Sequence, residues 1–324
     1  MNYNILFTSC GRRSYLLDYF KKCLDNNSTI HASNSENCPA FNSADKFVLS
    51  PLIEKDHYIE FILDYCIKHS IKIIIPLFDS DLFVLSKNKK IFQKYNIEII
   101  VSDFEIINVC NDKFSTYKFL KKNKLKTPET AISFDEIINK LDKKVINYPL
   151  ILKPRYGMGS LGIYEAKNID EFLIFNKKLK NELKNSDVFN VFNSVRKENI
   201  IYQEKIIGIE YGANIINNLN CNYINTLCLK KNKMRFGETD SAKVIKDLEI
   251  EQIGMKISLK LKHKFLLDVD IIKNKDGENI IIELNNRFGG QYPFFHEAGS
   301  NLPLALTKMI NKVDYISNKH LKVK

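Results

Sequence analysis

No run in this 324-residue chain approaches the ~20 consecutive apolar residues that a membrane-crossing helix needs. Met1 leads directly into a short apolar run over residues 5–7, with no charged, apolar and small-residue leader before it. A cytoplasmic protein with no membrane association is therefore expected. The seven cysteines, Cys10, Cys23, Cys38, Cys66, Cys110, Cys221 and Cys228, include no C-x-x-C pair and mostly sit among apolar residues. Buried free thiols are the expectation, in place of disulfides or thiolate metal sites. The six histidines are scattered and supply no zinc-like cluster. Two phosphate-binding signatures are also missing. There is no G-x-x-x-x-G-K-[ST] loop, and the first strand-to-helix turn lacks G-x-G-x-x-G, which argues against a simple dinucleotide-dependent oxidoreductase.

What is present bounds the fold. With 44% apolar and 11% aromatic residues the chain buries a substantial core, and its length suits two or three domains. The net charge of +11 comes from lysines distributed among Asn and Ile, without a basic footprint, so nucleic acid is not an expected partner. The charge remains suited to focusing an anionic small substrate.

Residues 4–8 read as a buried strand, followed by the turn Ser9-Cys10-Gly11-Arg12-Arg13 and a helix over about 14–24. Further strands at 30–32, 46–49, 71–76 and 97–99 alternate with helices near 55–68 and 82–94, a pattern that predicts a parallel sheet covered on both sides and closing near residue 110. Helices follow at 111–122 and about 133–141. Residues 149–154 predict a strand ending at Pro154, then a glycine-rich hairpin, then a short strand over 161–164. Helix and polar loop are expected over 170–195, and strands over 200–204, 211–216, 223–230, 265–272 and 280–284, with Asp276-Gly277 as the last hairpin turn. Helices near 247–262 and 302–310 complete an α+β second half.

Period two places Glu283, Asn285 and Arg287 on one strand face, and Asp268 and Asp270 likewise share a face. Close carboxylates raise one another's pKa unless a cation compensates them. Magnesium suits two carboxylates, an amide oxygen and phosphate oxygens; a solvated strand end is the competing reading. Lys153, followed by Gly157, Gly159, Ser160 and Gly162, has the makings of a phosphate loop. Gln203-Glu204-Lys205 and Glu210 place acidic groups where an adenine amino group and ribose hydroxyls are held, or form an exposed hairpin. The turn at residues 9–13 offers amides and a helix N-terminus to an anion, and Arg12 or Arg13 a partner for a carboxylate. Asp79 lies in a second loop at a strand's C-terminal end, and Arg235 in a polar loop over 235–239. Residues 294–299 are expected to pack the C-terminal domain, with His296 structural.

Taken in order, these residues resemble the ATP-grasp superfamily, particularly its carboxylate-amine ligases and carbamoyl-phosphate-synthetase-like members. The resemblance implies an α/β and α+β multidomain chain: a Rossmann-like pre-ATP-grasp domain over 1–110, an ATP-grasp segment with a small lid over 111–200, and a C-terminal subdomain with the metal-binding strands over 201–324. It implies ATP and Mg2+ as cofactors, with Mn2+ as an alternative. Lys113 and Lys153 then contact nucleotide phosphates under the flap 157–162, and Glu204, Lys205 and Glu210 hold adenine and ribose. Asp270, Glu283 and Asn285 bind metal, with Asp268 an alternative ligand to Asp270. Arg287 steadies the transferred phosphoryl group, and Arg12, Arg13, Asp79 and Arg235 are left for substrate. The chain departs from the usual pattern in carrying Asp270 for Glu or Gln and Asn-Asn-Arg for Asn-Pro-Arg. The turn at 9–13 also resembles that of polysaccharide-linked and pyrrolysine-biosynthesis-like members.

The implied activity joins a small-molecule carboxylate to an amine through an acyl phosphate. The alternatives are a carbamoyl-phosphate-synthetase-like enzyme with another acceptor and a non-catalytic ATP-binding regulator. A homodimer is the default expectation from ordinary protein symmetry.

Overall fold

The computed structural model describes residues 3–25, 27–157, 159, 161–184, 199–235 and 237–311. Strands β1 (Asn4–Thr8), β2 (Ile30–Asn34), β3 (Lys46–Leu49), β4 (Ile71–Pro76) and β5 (Glu98–Ile99) form a parallel sheet in the order β3-β2-β1-β4-β5. Alternation along β1 serves both faces. Ile5 and Phe7 pack with Phe20 of α1 (Ser14–Lys21), while Leu6 packs with Tyr58 and Ile62 of α2 (Tyr58–Lys68) and Leu82 of α3 (Asp79–Gln93). The chain leaves β1 in opposite directions to reach β2 and β4, so a crevice opens at the C-terminal ends of β1 and β4, the usual ligand position in such sheets. Asp79 is not in the loop expected after β4: it opens α3, where a carboxylate complements the helix dipole.

A second, antiparallel sheet in the order β6-β9-β7-β8 comprises β6 (Thr130–Ala131), β7 (Leu150–Pro154), β8 (Tyr164–Ala166) and β9 (Ile200–Glu204). It is covered by α6 (Phe134–Asp142) and α7 (Ile169–Lys184) through Ile137, Phe172 and Leu179. The strand expected at 161–164 begins only at Tyr164, because Gly162 has a left-handed φ of 69°. Residues 185–195 of the expected helix-and-loop stretch lie outside the described residues.

The third sheet, antiparallel in the order β12-β11-β10-β13-β14, contains β10 (Gly208–Asn217), β11 (Tyr223–Arg235), β12 (Glu238–Ile245), β13 (Leu266–Asn274) and β14 (Asn279–Asn285). One face, with Ile215, Leu267, Val269 and Ile271, packs on Ile250 and Ile257 of α8 (Leu248–Leu261) and on residues of α4 (Phe104–Asn111) and α5 (Lys113–Lys122). The other face looks toward the first sheet. Ile216, Leu227 and Leu229 join the core of β1 and α1, together with α9 (Tyr292–Glu297) and α10 (Leu302–Ile310). Phe288 bridges the two parts, its ring centroid 6.0 Å from Phe20 and 4.9 Å from Tyr292. His296 stacks on Tyr19 of α1 at 3.5 Å, so residues 294–299 fasten the first sheet's helix as well as their own domain.

The polar loop expected at 235–239 is instead the turn of the β11–β12 hairpin, with Arg235 opposite Glu238. As an edge strand with half of its residues exposed and none buried, β12 carries too little apolar alternation to read as one. Among the described residues all seven cysteines are free, and no helix is long and apolar enough to cross a membrane.

A buried ion pair ties the second sheet to α5. Arg155 donates through Nε and Nη2 to the two carboxylate oxygens of Asp112, both at 2.7 Å, and Asp112 also caps α5 by accepting from the Phe114 amide at 3.0 Å. Burial opposes ionisation of Asp112, but its hydrogen bonds from Arg155 and Ser115 outweigh that and hold its pKa below the ordinary value. Its stabilising effect is therefore complete above the unfolded-state pKa of about 4 and is lost as pH falls through the lower folded-state value. Replacing Asp112 with Ala strands Arg155 in the interior, and denaturant unfolding at pH 7 should show a loss of about 3–5 kcal/mol. A loss under about 1 kcal/mol would contradict this role.

Candidate functional site

A cavity of about 710 Å³ separates the C-terminal ends of the first sheet's strands from the facing side of the third sheet. One wall begins with the turn after β1. Ser9 takes a left-handed φ of 52° and donates through Oγ to the buried Asp81 at 3.0 Å, while Tyr58 donates to the other Asp81 oxygen at 2.7 Å. This network fixes the turn's start, and Gly11, with φ of 50°, swings the chain so that Arg13 and Tyr15 line the cavity. Asp79 stands behind them at the start of α3.

The opposite wall follows from strand register. Asp270 lies opposite Glu283, and Asp268 opposite Asn285, all on the face turned to the cavity. Each exposed-oxygen carboxylate has a lysine. Lys231 of β11 pairs with Asp270 at 2.5 Å, and Lys113, the first residue of α5, pairs with Glu283 at 2.7 Å while donating to the Gly157 carbonyl at 2.7 Å. Burial opposes both ionised partners, yet Asp270 raises the Lys231 pKa, and Lys113 and Lys153 hold Glu283 below the ordinary carboxylate value. Lys153, at the end of β7, is buried and forms no ion pair among the described residues. Burial lowers its pKa to about 8; Glu283 acts in the opposite direction, and Lys113 adds to the fall.

Arg287 joins the two walls. It donates through Nε to Asp79 Oδ1 at 2.8 Å and through Nη2 to Oδ2 at 2.9 Å, and this pair raises its pKa against the effect of burial. Its neighbour Arg13 is pushed below its ordinary value by burial and then by the Arg287 charge. Asp79 therefore orients Arg287.

Asp268 is buried, and its Oδ1 accepts from Asn214 Nδ2 at 2.8 Å and from Gln291 Nε2. Burial, then the Asp270 charge, raises its pKa to about 7. Two glycines make room for this cluster. A Cβ on Gly212 would stand 1.5 Å from Gln291 Oε1, and one on Gly289 would stand 1.9 Å from Asp268 Oδ2.

Asp270, Glu283 and Asn285 suit a hard divalent cation. Among the described residues no group of three or more Asp, Glu, His or Cys is placed to hold a metal ion, and the two carboxylates here are each paired with a lysine. The residues expected at the nucleotide base lie outside this cavity. Glu204 Oε1 accepts from the Glu129 amide at 2.7 Å, Lys205 pairs with Glu165 at 2.5 Å, and Glu210 is exposed near the start of β10; none lines the cavity. Gly159 lines the cavity with a left-handed φ of 62° and Gly157 holds Lys113 through its carbonyl, whereas Ser160 lies outside the described residues. Arg12 reaches the cavity mouth but is 80% exposed and paired with Glu238 at 2.9 Å. Arg235 pairs with Asp240 at 2.9 Å and is not brought to the cavity, so Arg12, Arg13 and Arg235 do not converge. Sequence reasoning missed Lys231, Tyr15 and Asn214. For Lys231 the signal was available: it continues the inward row Leu227, Leu229 by period two.

Residues 5–100 match the family model for the PylC-like N-terminal domain, and residues 110–291, more than half of the chain, match the model for the ATP-grasp domain. The chain is 30% identical over 196 residues to a coenzyme gamma-F420-2:alpha-L-glutamate ligase from Methanococcus maripaludis, a match covering 58% of this chain and 63% of that one. It is 24% identical over 218 residues to the alpha-aminoadipate–LysW ligase LysX of Saccharolobus solfataricus, covering 64% and 75%. The fold is similar to that of the L-amino acid ligase of Bacillus licheniformis, with a TM-score of 0.72, 16% identity and coverage of 97% and 75%. It is equally similar to the biotin carboxylase domain of the Hydrogenobacter thermophilus 2-oxoglutarate carboxylase, with a TM-score of 0.74, 15% identity and coverage of 96% and 70%. The chain belongs to the ATP-grasp family, behind a PylC-like N-terminal domain.

Proposed function

We propose that the protein is an ATP-dependent carboxylate-amine ligase that forms an amide through an acyl phosphate and releases ADP and phosphate. The observation that carries this reading is the convergence of Lys113, Lys153, Lys231 and Arg287 on the Asp270, Glu283 and Asn285 wall of one cavity. Three of these cations are paired with Glu283, Asp270 and Asp79, while the buried Lys153 amine has no ion pair among the described residues and can meet a phosphate oxygen. Lys113 and Lys153 hold the phosphates, beside Gly157 and Gly159. The end of β9, with Glu204 and Lys205, receives the adenine, and Glu210 the ribose hydroxyls. Asp270, Glu283 and Asn285 would hold magnesium, which when bound screens the phosphate charge and polarises the transferring group.

A substrate carboxylate oxygen attacks the γ-phosphorus, and the bond to the ADP oxygen breaks. Lys231 and Arg287, fixed by Asp270 and Asp79, offset the charge that spreads over the transferring oxygens. The amine nitrogen then attacks the acyl carbonyl carbon, and phosphate departs with its oxygen. No covalent enzyme nucleophile is needed, since positioning and electrostatics carry both steps. The division of labour follows the segments 1–110, 111–200 and 201–324, with the first supplying a substrate wall. A cytoplasmic setting belongs to the same reading, because its substrate is ATP.

Incubation of MgATP with pools of carboxylates and amines, read by mass spectrometry, should give ADP, phosphate and a conjugate that needs both an acid and an amine. Glu283→Ala should lower that turnover by about a hundredfold or more. ADP formation with bicarbonate in place of the acid would move the enzyme to a carbamoyl-phosphate-synthetase-like reaction. ATP binding without turnover in every pool would make it a regulator.

Lys153 gives the reading a pH signature. With its pKa lowered to about 8 it is protonated below that value and neutral above it, so a bound phosphate must draw a proton onto it at alkaline pH. Calorimetric affinity for a MgATP analogue should fall by up to about tenfold per pH unit above about pH 8. Lys153→Arg should flatten that fall. An equal slope in the variant would assign the pH dependence to another group.

A further inference from the structure

Two cysteine thiols meet where β1 and β2 end, and nothing in the chemistry above uses them. Cys10 lies in the turn after β1 and Cys38 in the segment after β2, 28 residues apart in sequence, with their sulfurs 3.7 Å from each other. Cys10 is fully buried, whereas Cys38 is part-exposed and follows three exposed residues, 35–37. No other two cysteines are in sulfur contact among the described residues. A shared metal does not account for the contact, since no group of three or more Asp, Glu, His or Cys is placed to hold one among the described residues.

The two segments are laced together and face the cavity. The Cys10 amide donates to the Ser33 carbonyl at 3.4 Å, the Ala40 amide to the Gly11 carbonyl at 3.2 Å, and the Gly11 amide to Asn34 Oδ1 at 3.3 Å. Gly11 and Arg13 from one segment, and Asn34 and Ser35 from the other, line the cavity. The thiol pair therefore sits behind one cavity wall. Its two members are also unequal. Burial, then the neighbouring Cys38, raises the Cys10 pKa and keeps it a thiol, which donates to the Ser33 carbonyl at 3.4 Å. Cys38, open to solvent, is the sulfur that an outside reagent reaches. Closing a bond between them draws the sulfurs from 3.7 Å to ~2.05 Å and pulls the two cavity-lining segments toward each other.

We infer that Cys38 is a modification site for low-molecular-weight disulfides and that Cys10 resolves the adduct, giving a reversible Cys10–Cys38 disulfide that reshapes the cavity wall. The Cys38 thiolate attacks one sulfur of the external disulfide, whose S–S bond breaks, and one thiolate leaves. Cys10 gives its proton to water as it attacks the Cys38 sulfur, and the second thiolate leaves. The two protein thiols are oxidised, and the external disulfide is reduced to two thiols. Transient bonds of this kind are the usual disulfides of a reducing compartment.

The test is incubation of the full chain with oxidised glutathione, alkylation of the remaining thiols and peptide mapping by mass spectrometry. The unaltered chain should lose about 2 Da, two hydrogens, and give a peptide cross-linked between Cys10 and Cys38 that dithiothreitol separates. Cys10→Ser should instead keep a stable glutathione adduct on Cys38, and Cys38→Ser should leave Cys10 unmodified. Conjugate formation should fall about tenfold or more in the oxidised chain, the scale of a substrate wall displaced by an ångström, and return with dithiothreitol. In Cys38→Ser it should not respond to glutathione. If Cys10→Ser fails to give a cooperative melting transition, the mapping of the unaltered chain decides. Cys10 and Cys38 both alkylated after the incubation, or a glutathione adduct that persists on Cys38 of the unaltered chain, would overturn the inference. A cross-link that leaves turnover unchanged would overturn its effect on the cavity. The mapping needs no turnover, so the disulfide stands or falls apart from the ligase reading.

Discussion

The bidentate ion pair between Asp79 and Arg287 is the contact on which the site depends. It joins residues 208 apart in sequence, one at the start of α3 and the other just after β14, and both side chains are close to nine-tenths buried. Asp79 costs little where it stands because the N-terminus of α3 favours a carboxylate, and the Asn111 amide holds its backbone carbonyl at 2.7 Å. Arg287 is thereby fixed at the edge of the cavity without being neutralised by the Asp268, Asp270 and Glu283 cluster. The apolar contacts of Phe20, Phe288 and Tyr292 bring the two walls together, but they are non-directional. The forked pair sets the orientation.

Around that pair the charges are arranged to be incomplete. Lys231 and Lys113 each satisfy one carboxylate, Lys153 is left with a depressed pKa, and Arg13 is pressed by a neighbouring guanidinium. Such an arrangement stores electrostatic free energy that anionic ligands release. It also accounts for the conformational restraint nearby: Ser9 in a left-handed conformation, the Asp81 network beneath it and the Asp112–Arg155 pair at the base of Lys113 and Lys153 all hold cations close together against their repulsion. Preorganised charge of this kind is how phosphoryl transfer is accelerated without an enzyme nucleophile.

Much of this was legible in the sequence because short-range periodicity carries it. The alternation in β13 and β14 put Asp268 with Asp270 and Glu283 with Asn285, and the order of strands, turns and helices carried the parallel first sheet. What was not legible depends on partners distant in the chain. Nothing in the sequence near Asp79 indicates Arg287, and nothing near Gly212 indicates that Gln291 needs its missing Cβ. The edge strand β12 was hidden by its polar faces, and Lys231 looked like one more surface lysine until its strand register turned it inward. Arg235 read as a substrate ligand because a glycine follows two residues later, whereas that glycine serves the hairpin turn.

The claim that two distant parts of the chain make one electrostatic site is tested most directly by a double-mutant cycle. Asp79→Asn and Arg287→Lys, alone and together, would be compared for kcat/KM of MgATP-dependent conjugate formation. The account predicts strong non-additivity: each single change costs about a hundredfold, and the double change little more than either, a coupling of about 2–3 kcal/mol. Additive losses would mean that Asp79 and Arg287 act independently, and that the two walls do not work as one site.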